Sequence, residues 1–299
     1  MLCENGGAAM TRDEFKTLAQ QGAVLLDGAT GSYLREHGMP VGVSTELWAL
    51  EHPEVVTEMQ RGYIDAGSRI IYAPTFGANR IGLALHGLED RLEEINAGCV
   101  AISRRAAEGR AWVAGDMTTT GRTLEPAGDI SDNEMFEVYA EQAGALAAAG
   151  ADLLVIETML SLEETIIALE AAHSVCELPV MCSMTVMADG ALYMGGTIDE
   201  AVATLQEVGA DAVGLNCSVG PDQLEAVVSA MKAVAEVPLI VKPNAGIPVM
   251  DEQGNAHYSM TPEAFAAAMK KLVWRGARII GGCCGTDSSY IRALKEAVL

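Results

Sequence analysis

The sequence predicts an α/β protein built as a single (β/α)8 barrel of the TIM type. Three observations carry this. One helix–Gly–strand unit recurs along the chain, its strands are apolar on both faces, and no linker or composition break divides the sequence. The clearest copies are YIDAGSRIIYAP (63–74), LAAAGADLLVIE (146–157), LQEVGADAVGLN (205–216) and LVWRGARIIGGC (272–283). In each, the Gly suits the left-handed conformation that closes a helix, and one or two small or polar residues turn the chain into an apolar run. A strand buried on both faces belongs to a parallel sheet covered by helices. An open, doubly wound sheet is the competing architecture, and an unbroken series of eight β-then-α units favours closure.

In chain order, the first strand is expected near Val24–Asp27. The helix Pro53–Ala66 then leads through Gly67 into the second strand, Arg69–Tyr72. The third strand is placed at Trp112–Asp116, and the helix Asn133–Ala149 leads into the fourth, Leu153–Glu157. The helix Leu162–Ser174 precedes strand five, Val180–Met184. Strand six is Ala212–Asn216, followed by a helix over Pro221–Val234 and strand seven, Leu239–Lys242. The helix Pro262–Trp274 delivers the last strand, Arg278–Gly281. Residues 1–11 are read as a mobile N-terminus and 12–299 as the barrel.

A barrel gathers its chemistry at the C-terminal ends of the strands. Here those ends carry Asp27, Thr75, Asp116, Glu157, Ser183, Asn216 with Cys217, Asn244, and Cys283 with Cys284, whereas the opposite ends carry mostly Gly, Ala and Pro. The loops 117–131 and 188–196 are expected to overhang this mouth.

Composition narrows the function. Half of the 299 residues are apolar, enough for one large core, and 41 acidic against 19 basic residues give a net charge of −22. Such a surface repels phosphate backbones and anionic lipid, which argues against nucleic-acid or membrane partners. MLCENGGAAM has neither the basic nor the apolar region of a secretory signal, and no apolar run reaches the ~18 residues of a membrane span. Seven cysteines, an odd number in a chain this long, do not suggest a disulfide scaffold. The absence of a signal points to a reducing cytoplasm, where clustered cysteines serve metals or catalysis.

Cys217, in GLNCSVGP after strand six, and Cys283–Cys284, in GGCCGT after strand eight, fall at the same rim with one strand between them. Three thiolates suit a catalytic zinc, which keeps a fourth position for substrate. Their charge makes the metal a weak Lewis acid but still able to hold an incoming thiol as thiolate, which fits alkyl transfer to sulfur. Buried structural thiols are the plain alternative. Cys99, Cys176 and Cys182 are read as core and Cys3 as part of the terminus.

Strand one ends in LLDGATGSYL, where Gly28 to Gly31 offer backbone N–H groups to a carboxylate. Asp27 and Glu157, at the same mouth, form a carboxylate pair suited to an ammonium; a general acid–base pair is the other reading. Nest, carboxylates and metal together fit an amino acid with a thiol side chain.

The segments DGATGS (27–32), APTFGAN (73–79), GADLLVIETM (150–159), GLNCSVGP (214–221), VKPNAGIP (241–248) and GGCCGT (281–286) resemble the homocysteine S-methyltransferase family. Within it, they resemble the homocysteine-binding domain at the N-terminus of cobalamin-dependent methionine synthase. The likeness runs from about residue 12 to the end, and VKPNAG favours the methionine-synthase branch over the betaine-dependent one. It implies Cys217, Cys283 and Cys284 as Zn2+ ligands, Asp27 and Glu157 on the homocysteine amine, and the amides of Gly28, Ala29 and Thr30 on its carboxylate. Ser183 and Asn216 are implied as supporting residues. The expected reaction is methyl transfer to homocysteine, giving methionine. Since the chain ends just after the last barrel helix, the expected donor is methylcobalamin on a separate corrinoid protein. S-Methylmethionine or betaine donors, another acceptor thiol, and a non-catalytic zinc-binding barrel are the alternatives.

Overall fold

The computed structural model describes residues 9–251 and 256–299. Its barrel strands are β1 (Val24–Leu25), β2 (Ile70–Tyr72), β3 (Trp112–Met117), β4 (Leu153–Met159), β5 (Val180–Met184), β6 (Ala212–Cys217), β7 (Leu239–Pro243) and β8 (Ala277–Ile280). All eight expected strands are present. They pair in parallel in the order β1-β8-β7-β6-β5-β4-β3-β2. The ring closes between β1 and β2 by mixed means. Arg69 N–H donates to Leu25 O at 2.8 Å, and Tyr72 N–H donates to the Asp27 carboxylate at 2.7 Å. A side chain therefore replaces the backbone acceptor at the seam.

The recurring Gly behaves as its position requires: Gly67, Gly150, Gly209 and Gly276 all have positive φ, between 85° and 124°. In the two GAD copies, the residue after the turn does a second job. Asp152 accepts the Val113 N–H and Asp211 accepts the Val180 N–H, each at 2.8 Å, so each repeat satisfies a donor on a neighbouring strand.

Period-two alternation along the strands separates two apolar layers. Val24, Leu26, Ile70, Tyr72, Ala114, Leu153, Val155, Met181, Ala212, Ile240 and Ile279 form one buried cluster, drawn from all eight strands, that fills the interior. Their neighbours, among them Val113, Leu154, Ile156, Val180, Cys182, Val213 and Val241, pack outward against the helices. Continuing the inward parity up five of the strands reaches Asp116, Glu157, Ser183, Asn216 (past Gly214) and Lys242. The polar layer over the core is thus a direct product of register.

Met10 and Phe15 join the interior cluster from the N-terminal side, and Met10 N–H donates to Asp152 O. Met10 is only 2% exposed, so this part of the segment expected to be mobile is anchored; residues 1–8, with Cys3, lie outside the described residues. Pro221–Val234 is a 3-10 turn, Pro221–Gln223, and then a helix, Glu225–Val234, broken where Leu224 leaves helical geometry. A two-stranded hairpin, Val249–Met250 with Ala256–His257, follows β7 and was not anticipated. Among the described residues no helix is long and apolar enough to cross a membrane.

Candidate active site

A cavity of about 280 Å³ opens at the C-terminal end of the barrel, lined by Ala29, Thr30 and Gly31 on one side and Cys217, Cys283 and Cys284 on another. Tyr72, Asp116, Glu157 and Lys242 make its inner wall, with Glu46 and Phe76 towards the opening. It falls just below the ~300–1,000 Å³ of sites for drug-sized ligands, so it suits one small molecule.

The three thiols meet there. Their sulfurs lie within 4.8 Å of one another, with Cys217 Sγ and Cys284 Sγ 3.9 Å apart. Sulfurs held tetrahedrally at ~2.3 Å from zinc would stand about 3.8 Å apart, so the donor set fits that ion. The backbone is built for the approach. Cys217 has φ 58° and Ser218 61°, in the left-handed region, while Gly285 at 79° leaves room for the Tyr258 ring that a Cβ would strike at 2.2 Å. Cys217 O accepts from Asn244 N–H, Cys284 O from Ala245 N–H, and Pro243 O from Cys283 N–H, tying both loops to the end of β7. S–H donation from Cys217 and Cys283 holds the Cys284 thiol well below its ordinary pKa, while Cys217 is raised in return. The cluster favours one thiolate.

Of the expected amide nest, Ala29 and Thr30 line the cavity. Ala29 N–H already donates to Thr286 O at 3.2 Å, so the donors still open on this wall are those of Thr30 and the first turn of the helix Gly31–Glu36. Gly28 does not line the cavity; a Cβ there would meet the Tyr63 ring at 2.7 Å, and Tyr63 O–H donates to Ala29 O. Its role is to let the chain pass over that tyrosine.

Glu157 faces the cavity, 6% exposed, and its Oε2 has no hydrogen-bond donor. Burial, only partly offset by Lys242, raises its pKa to about 8. Asp27 lies behind the wall, 1% exposed: one oxygen accepts the Tyr72 N–H, and the other is 3.4 Å from Lys242 Nζ. Ser183 and Asn216 do not line the cavity. Ser183 O–H and Thr158 N–H both donate to Asn216 Oδ1, and Asn216 Nδ2 donates to Thr158 Oγ1 at 2.7 Å. This clamp holds Thr158 at φ 60°, unusual for a β-branched residue, and so fixes the turn that presents Glu157.

Sequence reasoning placed Asp116 at the rim without a role and passed over Lys242. The signal for Lys242 was present: a lysine inside the apolar run LIVKP of a doubly buried strand needs buried anionic partners. Nothing in the sequence marked Tyr72 or Glu46, which reach the cavity only through the fold.

The profile of the homocysteine S-methyltransferase family matches residues 24–298. Methionine synthase from Mycobacterium leprae (strain TN) is 29% identical over 304 residues, covering 96% of this chain and 25% of its own length. The methionine synthase of Mycobacterium tuberculosis (strain ATCC 25618 / H37Rv) is also 29% identical, over 91% of this chain and 24% of its own. The chain thus spans about a quarter of these relatives. Among solved structures, the metallated form of the homocysteine methyltransferase MmuM from Escherichia coli superposes with a TM-score of 0.78 at 26% identity, covering 94% of this chain and 98% of that one.

Proposed function

The chain belongs to the homocysteine S-methyltransferase family, and from that premise we propose that it transfers a methyl group to the thiolate of homocysteine, giving methionine. The observation that carries this is one cavity with a thiol cluster at one wall, open amides at a second and unpartnered carboxylate oxygen at a third. Residues 12–299 act as one homocysteine-binding barrel in a reducing cytoplasm, where three thiols stay free.

In this reading Cys217, Cys283 and Cys284 hold Zn2+, which when bound supplies a charge that keeps the substrate thiol ionised at neutral pH. The open amides of Thr30 and the helix turn after it take the substrate carboxylate, with Gly28 and Ala29 shaping the turn. Glu157 and Asp27 supply negative charge for the ammonium. Asn216 and Ser183 hold Glu157 in place through Thr158. Together these contacts fix both ends of the amino acid and leave its sulfur at the cysteine wall, pointing to the mouth.

The donor in this reading is methylcobalamin on a separate corrinoid protein. Such a donor would supply a methyl group whose bond to cobalt breaks as the new bond to sulfur forms, with the cobalt of the carrier keeping the electron pair. A cavity of about 280 Å³ cannot enclose a corrin, so such a donor must be presented from outside. Apolar side chains left exposed on the strand-end loops, including Phe76, Tyr193, Met194 and Ile247, suit a docking face. A small sulfonium or betaine donor is the second reading, compatible with the likeness to the E. coli homocysteine methyltransferase. A screen of zinc-loaded protein with homocysteine separates them. Methionine from a methylated corrinoid protein, and more slowly from free methylcobalamin, is expected; turnover only with S-methylmethionine or betaine would replace the donor assignment.

A further inference from the structure

We propose that Asp116 is a third carboxylate of the amine pocket and that Lys242 is the internal cation that positions it with Asp27 and Glu157, so that the cavity selects thiols carrying a free ammonium. This rests on the homocysteine reading above and deepens it.

The two oxygens of Asp27 face Tyr72 N–H and the Lys242 ammonium, and Asp27 is not among the cavity-lining residues. Lys242 is 3% exposed, its Nζ 3.4 Å from Asp27 Oδ1 and 3.4 Å from Gly28 O, and 4.8 Å from the centre of the Tyr72 ring. Asp27 and Lys242 therefore largely answer each other, and Lys242 also braces the turn that begins the amide nest.

That leaves Glu157 and Asp116 on the cavity wall. Asp116 is 6% exposed, and no described residue donates a hydrogen bond to its carboxylate; its Oδ1 is fully enclosed. Glu157 Oε2 is in the same condition. Two buried carboxylates without donors from the described residues, close enough that Glu157 raises the pKa of Asp116 second only to burial, favour taking up protons when the cavity is empty and stay ionised when a cation reaches them. Lys242 cannot be that cation alone, because one positive charge among Asp27, Asp116 and Glu157 leaves two negative charges when all are ionised. An α-ammonium entering the cavity supplies three N–H donors and one positive charge at the place where acceptors are unsatisfied. A thiol acid lacking the amine supplies neither, and would have to leave both carboxylates unpaired. Specificity of this kind is strong because it is set by what is left unsatisfied.

The test uses the zinc-loaded chain. Asp116→Asn, close in shape, is expected to weaken calorimetric binding of homocysteine roughly tenfold or more, with zinc content unchanged. The ratio of affinities for homocysteine over 4-mercaptobutyrate, the same thiol acid without its amine, should fall by a similar factor, and Asp116→Ser should show both losses. A purely structural role would weaken both ligands together and leave the ratio alone. Lys242→Gln should lower the thermal midpoint, and adding Asp116→Asn to it should recover part of the loss, because one uncompensated anion is removed. If wild-type protein binds homocysteine and the Asp116 variants bind it equally well with the same preference, this assignment is wrong while the homocysteine reading stands. If wild-type protein does not bind homocysteine, both fail.

Discussion

At the scale of single residues, chemistry at this site depends on side chains held in place by groups that never touch a substrate. Cys284 is flanked by Cys283 and by Gly285, whose positive φ admits the Tyr258 ring beside the thiol cluster. Cys284→Ala is expected to abolish stoichiometric zinc binding measured by metal analysis, and full occupancy would contradict the ligand set. Glu157→Gln and Asp27→Asn should leave zinc content intact and weaken homocysteine binding roughly tenfold. Glu157→Gln loses a charge-assisted interaction with the ammonium worth ~1.5–3 kcal/mol. Asp27→Asn acts instead from behind the wall by releasing Lys242 from its ion pair, and Asn at position 27 can still accept the Tyr72 N–H that closes the barrel. Unchanged affinity in both variants would remove the carboxylates from the amine site. The cysteines and Glu157 were legible in the sequence because strand-end position alone predicts the barrel mouth. The division of labour was not: Asp27 as seam acceptor, Asn216 as the clamp on Thr158, and Ala29 with its amide already used depend on partners 45, 58 and 257 residues away, at Tyr72, Thr158 and Thr286.

At the scale of elements, the GAD turns show how one short motif ends a helix, starts a strand and satisfies a neighbouring one. The Gly requirement was readable from spacing, as was the helix Pro53–Ala66, because those are local properties of the chain. The Asp was not, since its partner lies on the adjacent strand, Val113 for Asp152 and Val180 for Asp211. The hairpin after β7 was missed for a related reason: two-residue strands carry too little alternation to register. Asp152→Ala would leave the Val113 N–H without its acceptor and would remove one of two partners of Arg104, which donates to the Asp152 carboxylate at 3.1 Å and to Gly150 O at 2.7 Å. A loss of ~1.5–3 kcal/mol is expected in denaturant unfolding, with homocysteine affinity unchanged, because Asp152 stands at the end of the barrel away from the cysteines. Burial raises the Asp152 pKa, so the folded state binds its proton more tightly than the unfolded chain does. Its titration therefore favours folding below the ordinary aspartate pKa of 3.8, and that contribution is lost as pH rises through the folded value. Asp152→Asn should remove this component from the pH dependence of stability. An unchanged profile would mean that Arg104 and the Val113 N–H already cancel the burial effect.

For the molecule as a whole, the net charge of −22 and the apolar mouth pull in different directions, and only the fold reveals the second. The sequence shows that Phe76, Tyr193, Met194 and Ile247 are apolar, but exposure is decided by which loops rise over the barrel end. Tyr193 is 52% exposed and Ile247 56%, and together they flank the opening through the loops after β5 and β7. An acidic surface disfavours indiscriminate association, so exposed apolar side chains on the loops at the cavity end offer a partner a gain by desolvation. If the methyl group arrives on a carrier protein, the carrier must seat against this rim while the donor carbon comes within ~3–3.5 Å of sulfur. A charge placed there would be buried unpaired in the encounter complex. Tyr193→Glu and Ile247→Asp are therefore expected to slow methionine formation from a methylated corrinoid protein roughly tenfold or more, the scale of a well-buried interface residue. Zinc content and calorimetric homocysteine affinity should stay at wild-type values, since neither residue lines the cavity. Free methylcobalamin, which needs no protein interface, should lose much less rate. Equal losses with both donors would place these side chains in the chemistry of the mouth and not in docking, and no loss with the carrier would leave the rim without a partner.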